Sequence, residues 1–246
     1  MKPDTCGDEY QSLTKYIRNH LPTHRLEFDK MPPQFKIYEE AAIIELPRSF
    51  GFKTNEFMKI LTGRRSRRVF SPEALPLQDL STLLKFTAGS VQDEIPDAGF
   101  AFRHVPSAGG LYPHETYIVA YNVDGLDPGL YHYRVPGHLL ELLKAGAFGN
   151  EVEAIALDQA MARRCPACFF WTAAIPRSKW KYLQRCYRYV YIDIGHLGQN
   201  FYLVSEALGL ACCAIGALYD DEGNDFLGID GSDETLVYMG VVGKKR

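Results

Sequence analysis

The chain has 246 residues, of which 46% are hydrophobic and 23% are charged, and its net charge is -3. This length fits one large domain or two small ones, with enough apolar residues for a sizeable core. The slightly acidic balance excludes a general attraction for nucleic acid or for an anionic membrane surface. No apolar run reaches the ~20 residues of a membrane helix, and the stretch MKPDTCGDEYQSLTKY lacks the apolar centre of a secretory signal.

Six cysteines are scattered along the chain without a dense framework, which predicts free thiols and a cytoplasmic location. Cys165 and Cys168 have the spacing of a metal or redox motif. Cys168, however, opens the run CFFWTAA, which is typical of a buried strand, and no histidine or second Cys-x-x-Cys pair is suitably spaced. We therefore predict partly buried thiols and no metal site.

In chain order, residues 1–50 combine short helical patterns with proline-bearing connections. We interpret them as an N-terminal extension that packs on the body, and residues 51–246 as the main domain. This domain begins with a helix predicted over 54–62 that ends at Gly63. A second helix is predicted to start at Ser71-Pro72, because proline favours the first turn and apolar residues follow at helical spacing.

Farther along, short apolar and aromatic runs predict strands, with a helix predicted in GNEVEAIALDQAMARR. The strand runs are GLYHYRV, HLLELLKAG, ACFFWTAAI, ACCAIGAL and TLVYMGVVG. The last two are typical of strands that are buried on both faces. Together these elements predict an α+β fold with a central mixed β-sheet flanked by helices.

One long helix is predicted from Arg188 onwards, and it is expected to be buried. Its apolar residues form two stripes, so the helix should pack between layers or between subunits. Four polar residues interrupt these stripes, and a buried polar group without a hydrogen bond costs roughly 1–3 kcal/mol. They are Asp193, His196, Gln199 and Asn200. Asp193, His196 and Asn200 could form a satisfied structural network or belong to a functional site.

Three short motifs have the chemistry of a ligand site, although a structural role explains each of them equally well in isolation. RRSRR at 64–68 offers guanidinium groups that match phosphate oxygens, with a serine hydroxyl beside them. PSAGG at 106–110 lacks bulk, so its backbone can approach a flat ligand closely. Gly216 follows a predicted strand, where a backbone amide could face the same ligand.

The order and spacing of these motifs resemble a known family. RRSRR is followed by PSAGGLYPHE at 106–115, then by GLYHY, by a Lys-Tyr pair with GHLGQN, and by CCAIGAL. The sequence resembles the FMN-dependent nitroreductase-like superfamily. Within it, the chain is similar to the SagB-type (McbC-like) dehydrogenases that are associated with thiazole- and oxazole-containing peptides. The resemblance covers residues 58–243 and leaves the N-terminal extension unexplained.

The resemblance implies an FMN-binding homodimer in which each flavin contacts both chains. It also implies which residues bind the cofactor, from its phosphate to the N5 edge of its ring. Carried over to this chain, these residues are Arg64, Arg65, Ser66, Arg68, Pro106, Ser107, Ala108, Gly109, Gly110, Ile215, Gly216 and Lys244.

A Lys-Tyr pair marks the azoline-oxidising branch, where the resemblance implies a role in proton abstraction. The pair falls on Lys181 and Tyr182. This chain departs from the common pattern at the next position, where Leu183 replaces a glycine. The local turn is therefore expected to differ, and a structural role for the pair stays open.

Three functions are compatible with this resemblance. The first is an FMN-dependent dehydrogenase that oxidises thiazoline- or oxazoline-like rings, with a cyclodehydratase and a precursor peptide as partners. The second is a nitroreductase or quinone reductase that takes hydride from NAD(P)H. The third is a flavin-binding protein without turnover.

Overall fold

The computed structural model describes residues 5–21, 56–92 and 101–246. Much of the predicted N-terminal extension and residues 54–55 of the first predicted helix lie outside the described residues. Within the described residues the helices are α1 (Cys6–Leu13), α2 (Glu56–Gly63), α3 (Leu77–Ala88), α4 (Gly149–Ile155), α5 (Met161–Arg164), α6 (Ile175–Tyr182), α7 (Cys186–Ala207) and α8 (Asp220–Leu227). The strands are β1 (His114–Ala120), β2 (Gly129–Arg134), β3 (Leu139–Ala145), β4 (Ala167–Ala174), β5 (Leu210–Ile215) and β6 (Glu234–Lys244).

The six strands described form one sheet in the order β3-β2-β1-β4-β6-β5. The predicted α+β fold and its central sheet flanked by helices are confirmed, but the prediction of a mixed sheet is wrong. Every neighbouring pair of these strands is antiparallel. The apolar runs of β5 and β6 reflect burial on both faces, and such burial indicates covered faces rather than strand direction.

Helices cover the sheet on both faces, and β4 at its centre contributes to both cores. Phe169 and Trp171 belong to the core that includes residues of α3 and α7. Cys168 and Phe170 belong to the opposite core, with residues of α4, α5 and α8. This alternation follows from the period of two along a strand.

The long helix α7 buries one of its two predicted apolar sides within the chain. Val190, Ile194, Leu197 and Phe201 are buried against the sheet. The other side faces outwards, and Ile192 on that side is 55% exposed. Among the described residues, no helix is both long and apolar enough to cross a membrane.

Two predicted helix boundaries require correction. The second helix begins at Leu77, not at Ser71-Pro72, because the backbone of Leu75 pairs with residues 122–124 and keeps the chain extended up to Pro76. The helix predicted in 149–164 is divided into α4 and α5. Leu157 and Asp158 between them have φ values of 51° and 57°, which interrupt a right-handed helix.

Candidate active site

A glycine-bearing loop, residues 106–110, is attached to α7 through the buried carboxylate of Asp193. Ser107 Oγ donates a hydrogen bond of 2.6 Å to Asp193 Oδ2, and the backbone N–H of Ala108 donates at 3.2 Å. Ser107 Oγ also accepts a bond of 2.9 Å from the N–H of Tyr112. The loop is thus fixed at both ends by one serine and one aspartate.

Asp193 is only 2% exposed, and this burial raises the pKa of its carboxyl group. Hydrogen bonds from Ser107 and Ala108 act in the opposite direction, as does the charge of His196. Two of the donors that a buried carboxylate requires are therefore supplied by the loop. Asn200 has a different partner, the carbonyl of Phe86, at 3.0 Å, so Asp193 and Asn200 are satisfied separately.

The Lys-Tyr pair lies against this loop. Gly109 has a φ of 64°, and a methyl group placed on it would lie 2.5 Å from Tyr182 Oη and 2.7 Å from Lys181 Nζ. The positive φ and the close approach of these two side chains both explain why glycine occupies this position. The Tyr182 ring contacts Tyr189 edge-on, with centroids 4.7 Å apart, and Tyr189 Oη accepts a bond of 2.9 Å from Arg185. The structure therefore brings the predicted catalytic pair together with the predicted 106–110 loop.

Leu183, where the resemblance leads us to expect glycine, adopts a backbone conformation that glycine favours. Its φ is 49° and its ψ is -141°, and its side chain is 69% exposed. A non-glycine residue in such a region costs on the order of 1–3 kcal/mol, so surrounding contacts must hold it there. The turn after Tyr182 thus places a leucine in a conformation with positive φ.

Those contacts come from α1, and Asp8 is their centre. Its carboxylate accepts hydrogen bonds from Lys179 at 2.7 Å, from Gln184 at 2.8 Å and from Tyr187 at 2.6 Å. Burial disfavours ionisation of Asp8, but these bonds outweigh it and lower its pKa. We call this set of contacts the Asp8 clamp. It joins residues before and after Leu183, so it fixes the turn from both sides.

On the opposite part of α7, Tyr202 connects the arginine-rich motif to the end of β5. Its hydroxyl lies 3.0 Å from Ser66 Oγ and accepts a bond of 2.9 Å from the N–H of Ala214. The guanidinium of Arg64 lies over its ring, 5.1 Å from the centroid. Ile215 and Gly216 follow directly, so the structure brings these predicted cofactor residues close together.

The basic residues of this region differ in whether a carboxylate already neutralises them. Glu206 pairs with Arg67 at 2.8 Å and with Lys245 at 3.1 Å. Lys244, a predicted cofactor residue, pairs with Glu73 at 2.8 Å. Within the described residues, Arg64, Arg65 and Arg68 have no ion pair with a carboxylate. Arg65 donates to the carbonyls of Thr62 and Arg64.

A cavity of about 310 Å³ adjoins Tyr202 on the exposed side of α7. Gly195 and Gly198 form one wall, and Tyr238 lies beside them. A methyl group on Gly195 would meet no atom within 4 Å, whereas one on Gly198 would lie 2.8 Å from the Tyr238 ring. Aromatic rings beside glycines give a surface that a flat ring could cover.

The two parts of the candidate site do not meet within one chain. Asp193, which holds the 106–110 loop, and Tyr202 are nine residues apart on α7, or roughly 13 Å along its axis at 1.5 Å per residue. Pro106, at the start of the loop, is exposed. The predicted residues thus fall into two groups. The loop part is residues 106–110 with Lys181 and Tyr182, and the arginine part is residues 64–68 with Ile215 and Gly216.

Sequence reasoning missed Tyr202, Tyr238 and the Asp8 clamp. The spacing of Gly195, Gly198 and Tyr202, at steps of three and four, places them on one helix face and could have indicated the cavity. Asp8 carried no such signal, because Gln184 and Tyr187 are separated from it by more than 170 residues.

A comparison with known protein families identifies the family of this chain. A model described as the nitroreductase family matches residues 61–244, which is more than half of the sequence. The chain belongs to the nitroreductase family. A protein of Methanocaldococcus jannaschii named as a nitroreductase, MJ1384, is 35% identical over 170 residues, covering 69% of this chain and 83% of that protein. Membership indicates an oxidoreductase.

A second relative is the trifolitoxin-processing protein TfxB of Rhizobium leguminosarum bv. trifolii. It is 29% identical over 147 residues, which cover 56% of this chain and 39% of TfxB. The chain therefore spans well under half the length of that relative.

Solved structures show the same fold. A nitroreductase of Anabaena variabilis is 31% identical with a TM-score of 0.67, over 78% of this chain and 38% of that one. A chain of the Escherichia coli microcin synthetase McbBCD complex, with truncated pro-MccB17 bound, has a TM-score of 0.71 at 19% identity, over 96% of this chain and 86% of that one. A nitroreductase of a Desulfovibrio desulfuricans subspecies in complex with FMN has a TM-score of 0.55 at 13% identity, over 78% and 87%. The last two similarities establish the fold alone.

Replacement of Asp193 by alanine in this nitroreductase-family chain is expected to destabilise it. The change leaves the hydroxyl of Ser107 and the N–H of Ala108 without their acceptor, which costs about 1–3 kcal/mol of unfolding free energy. Urea unfolding followed by circular dichroism measures the loss. Gln199→Ala, at an exposed position on the same helix, is the matched control. Equal stability of the two variants would contradict the assigned role of Asp193.

Replacement of Asp8 by alanine is expected to loosen the turn after Tyr182. Backbone hydrogen exchange at residues 183–187 should accelerate at least about tenfold, because the Asp8 clamp supplies three hydrogen bonds there. Because the folded pKa of Asp8 is lowered, the stability that the clamp contributes is present above the ordinary pKa of an aspartate and is lost as pH falls through the lowered value. Glu9→Ala is the control, since among the described residues its carboxylate accepts a hydrogen bond from Thr5 and none from the turn. Unchanged exchange in Asp8→Ala would contradict this role.

Proposed function

We propose that the protein is an FMN-dependent dehydrogenase of the SagB type, which oxidises thiazoline- or oxazoline-like rings in a modified peptide. One observation carries the proposal: Lys181 and Tyr182 lie against Gly109 in the loop proposed to bind the cofactor. An amine and a phenolic oxygen, each a base in its deprotonated form, at this place match a reaction that removes a proton from carbon next to a hydride acceptor.

The residues present fit an aromatic cofactor that carries a phosphate. Arg64 and Arg68 have no carboxylate partner among the described residues, and Ser66 adds a hydroxyl beside them. These groups suit a phosphate. The 310 Å³ cavity beside Gly195 and Tyr238 suits a flat ring. Lys244 is left out of the proposed set because Glu73 neutralises it.

Oxidation of an azoline to an azole removes one proton and one hydride from the ring. FMN supplies the hydride acceptor when it is bound. The protein must supply the base, and we assign this role to Lys181 Nζ or Tyr182 Oη. Gly109 lets both atoms approach the loop closely, and Tyr189 holds the Tyr182 ring in place. The Asp8 clamp then orients the turn that follows the pair.

The same geometry supports a homodimer. The exposed side of α7, with Ile192, Gly195 and Gln199, has no cover from the described residues. If two copies pack these sides together antiparallel about a two-fold axis, the Asp193 end of one helix meets the Tyr202 end of the other. The loop part and the arginine part of the site would then face each other across the interface.

The proposed partners follow from the relatives and from the resemblance. TfxB is named for the processing of trifolitoxin, and the McbBCD complex is named as a synthetase with pro-MccB17 bound. By analogy, we propose a peptide substrate and a separate cyclodehydratase that forms the azoline.

An alternative is a reductase that takes hydride from NAD(P)H, which the 35% identity to a protein named as a nitroreductase favours. Stopped-flow mixing separates the two functions. Rapid bleaching of bound flavin by NAD(P)H supports the reductase, and bleaching by an azoline peptide supports the dehydrogenase. Bleaching by neither would leave a flavin-binding protein without turnover.

Replacement of Arg64 and Arg68 together by methionine is expected to weaken FMN retention at least about tenfold. The loss of two charge-assisted contacts to phosphate gives this magnitude. Fluorescence titration of the apoprotein with FMN measures the affinity. Lys244→Met is the matched control, since Glu73 already pairs with that lysine. A double variant that binds FMN as tightly as the wild type would remove the arginines from the site.

Lys181→Ala combined with Tyr182→Phe is expected to reduce azoline oxidation by about 10²- to 10⁴-fold, the usual contribution of a general base. Bound flavin should be retained, because neither side chain belongs to the arginine part. Product formation by mass spectrometry and flavin absorbance are the two readouts, with Lys59→Ala on α2 as the control. Undiminished turnover would return both residues to a structural role.

A further inference from the structure

A second cavity, of about 380 Å³, lies beside the 106–110 loop and between β1, β2 and α6. Gly110 and Leu111 form part of its wall. The proposed reaction assigns no role to this cavity. Its polar wall residues are Arg103, Tyr112, Glu115, His132, Arg134 and Arg177.

Of the three arginines that line this cavity, two form ion pairs with carboxylates and one does not. Arg177 pairs with Glu115, and Arg134 pairs with Glu141 at 3.3 Å. Glu115 is ionised at neutral pH: burial opposes ionisation, but the hydrogen bond from His132 and the charges of both nearby arginines lower its pKa to about 2. Among the described residues, three guanidinium groups thus face two carboxylates, and protonation of His132 would add to the surplus.

Arg103 carries the surplus charge. Within the described residues, no carboxylate lies within ion-pair distance of its guanidinium. Its Nη1 donates at 3.3 Å to both the ring Nδ1 and the carbonyl of His114, and its guanidinium lies 5.3 Å from the Tyr112 ring centroid. All of these partners are neutral, because complete burial holds the pKa of His114 well below its usual value.

A largely buried cation without an ion pair is costly: burial lowers the pKa of Arg103, and the charge of the more distant Glu115 offsets only part of that effect. An arginine has five N–H donors, and the contacts with His114 use one nitrogen. The remaining donors can bind a planar pair of oxygens bidentately. The single surplus charge matches a monoanion, and the nearby carboxylates of Glu115 and Glu141 would repel a doubly charged group.

The cavity is close to the proposed catalytic pair. Gly110 in its wall is adjacent to Gly109, which contacts Lys181 and Tyr182. Arg177 and Lys181 are four residues apart on α6, so they share one helix face, roughly 6 Å apart along the axis. An anion in the cavity would therefore belong to a group near the reacting ring.

We infer that this cavity is a carboxylate-binding subsite, in which Arg103 binds an acidic side chain or the C-terminal carboxylate of the peptide substrate within about two residues of the ring. The inference rests on the proposed function for the identity of the substrate. Through this subsite, the position of a carboxylate in the peptide would determine which of its rings is oxidised.

Four short azoline peptides test the inference, with Glu or Gln beside the ring and with a free or amidated C-terminus. The FMN-loaded wild type is expected to prefer at least one carboxylate peptide by about tenfold or more in KM, as a charge-assisted bidentate contact implies. The Glu/Gln pair and the acid/amide pair distinguish the two sources of the carboxylate. Equal KM values for all four peptides would overturn the inference.

Arg103→Gln should remove the preference, so that carboxylate and neutral peptides have the same KM. Arg134→Gln is the matched control, because that guanidinium lines the same cavity but is already paired with Glu141. If Arg103→Gln does not fold, Arg103→Lys replaces it, and the preference should fall several-fold because the bidentate fork is lost. Retention of the full preference in the folded variant would also overturn the inference.

A binding measurement separates this inference from the proposed function. Fluorescence anisotropy with the corresponding azole peptides, which have no ring left to oxidise, reports affinity without turnover. Tighter binding of a carboxylate peptide that is lost in the Arg103 variant supports the subsite even if no azoline peptide is oxidised. Turnover without any carboxylate preference leaves the dehydrogenase intact and ends the subsite.

Discussion

The buried carboxylate of Asp193 is the contact on which the candidate active site depends. It lies in the N-terminal half of α7, the longest helix described, and holds the loop that contains Gly109. Its burial would be unfavourable without the donors of Ser107 and Ala108, so the helix and the loop require each other. Lys181 and Tyr182 reach the same loop from α6, and their position relative to α7 is thereby fixed.

The two sides of α7 have different surroundings, which explains the mixture of residues on this helix. Val190 and Phe201 pack on the sheet, while Gly195 and Gln199 face outwards. The outward side combines small, aromatic and polar residues, which is consistent with the proposed dimer and the proposed flat ligand. In the proposed dimer, each helix would contribute its loop end to one site and its Tyr202 end to the other.

Local patterns predicted much of the fold because strands and amphipathic helices depend on neighbours in sequence. The runs GLYHYRV and ACFFWTAAI became β2 and β4, and the apolar stripe starting at Val190 became the buried side of α7. Strand direction could not be predicted, because two covered faces give the same apolar run in either direction. The contact of Arg64 with Tyr202 and the ion pair of Lys244 with Glu73 could not be predicted, because both depend on packing between segments that are distant in sequence.

The replacement of glycine by Leu183 shows why part of the N-terminal segment belongs to the site. A leucine with a φ of 49° would tend to relax towards an ordinary conformation, and Lys181 and Tyr182 would move with it. Asp8 and Gln184 prevent this by joining α1 to both sides of the turn. Gln184 in turn accepts bonds of 3.1 Å from the N–H groups of Gly7 and Asp8, so the contact is reciprocal. The turn is thus held by α1, which lies more than 170 residues away in sequence. The placement of the proposed catalytic pair therefore depends on α1 remaining bound.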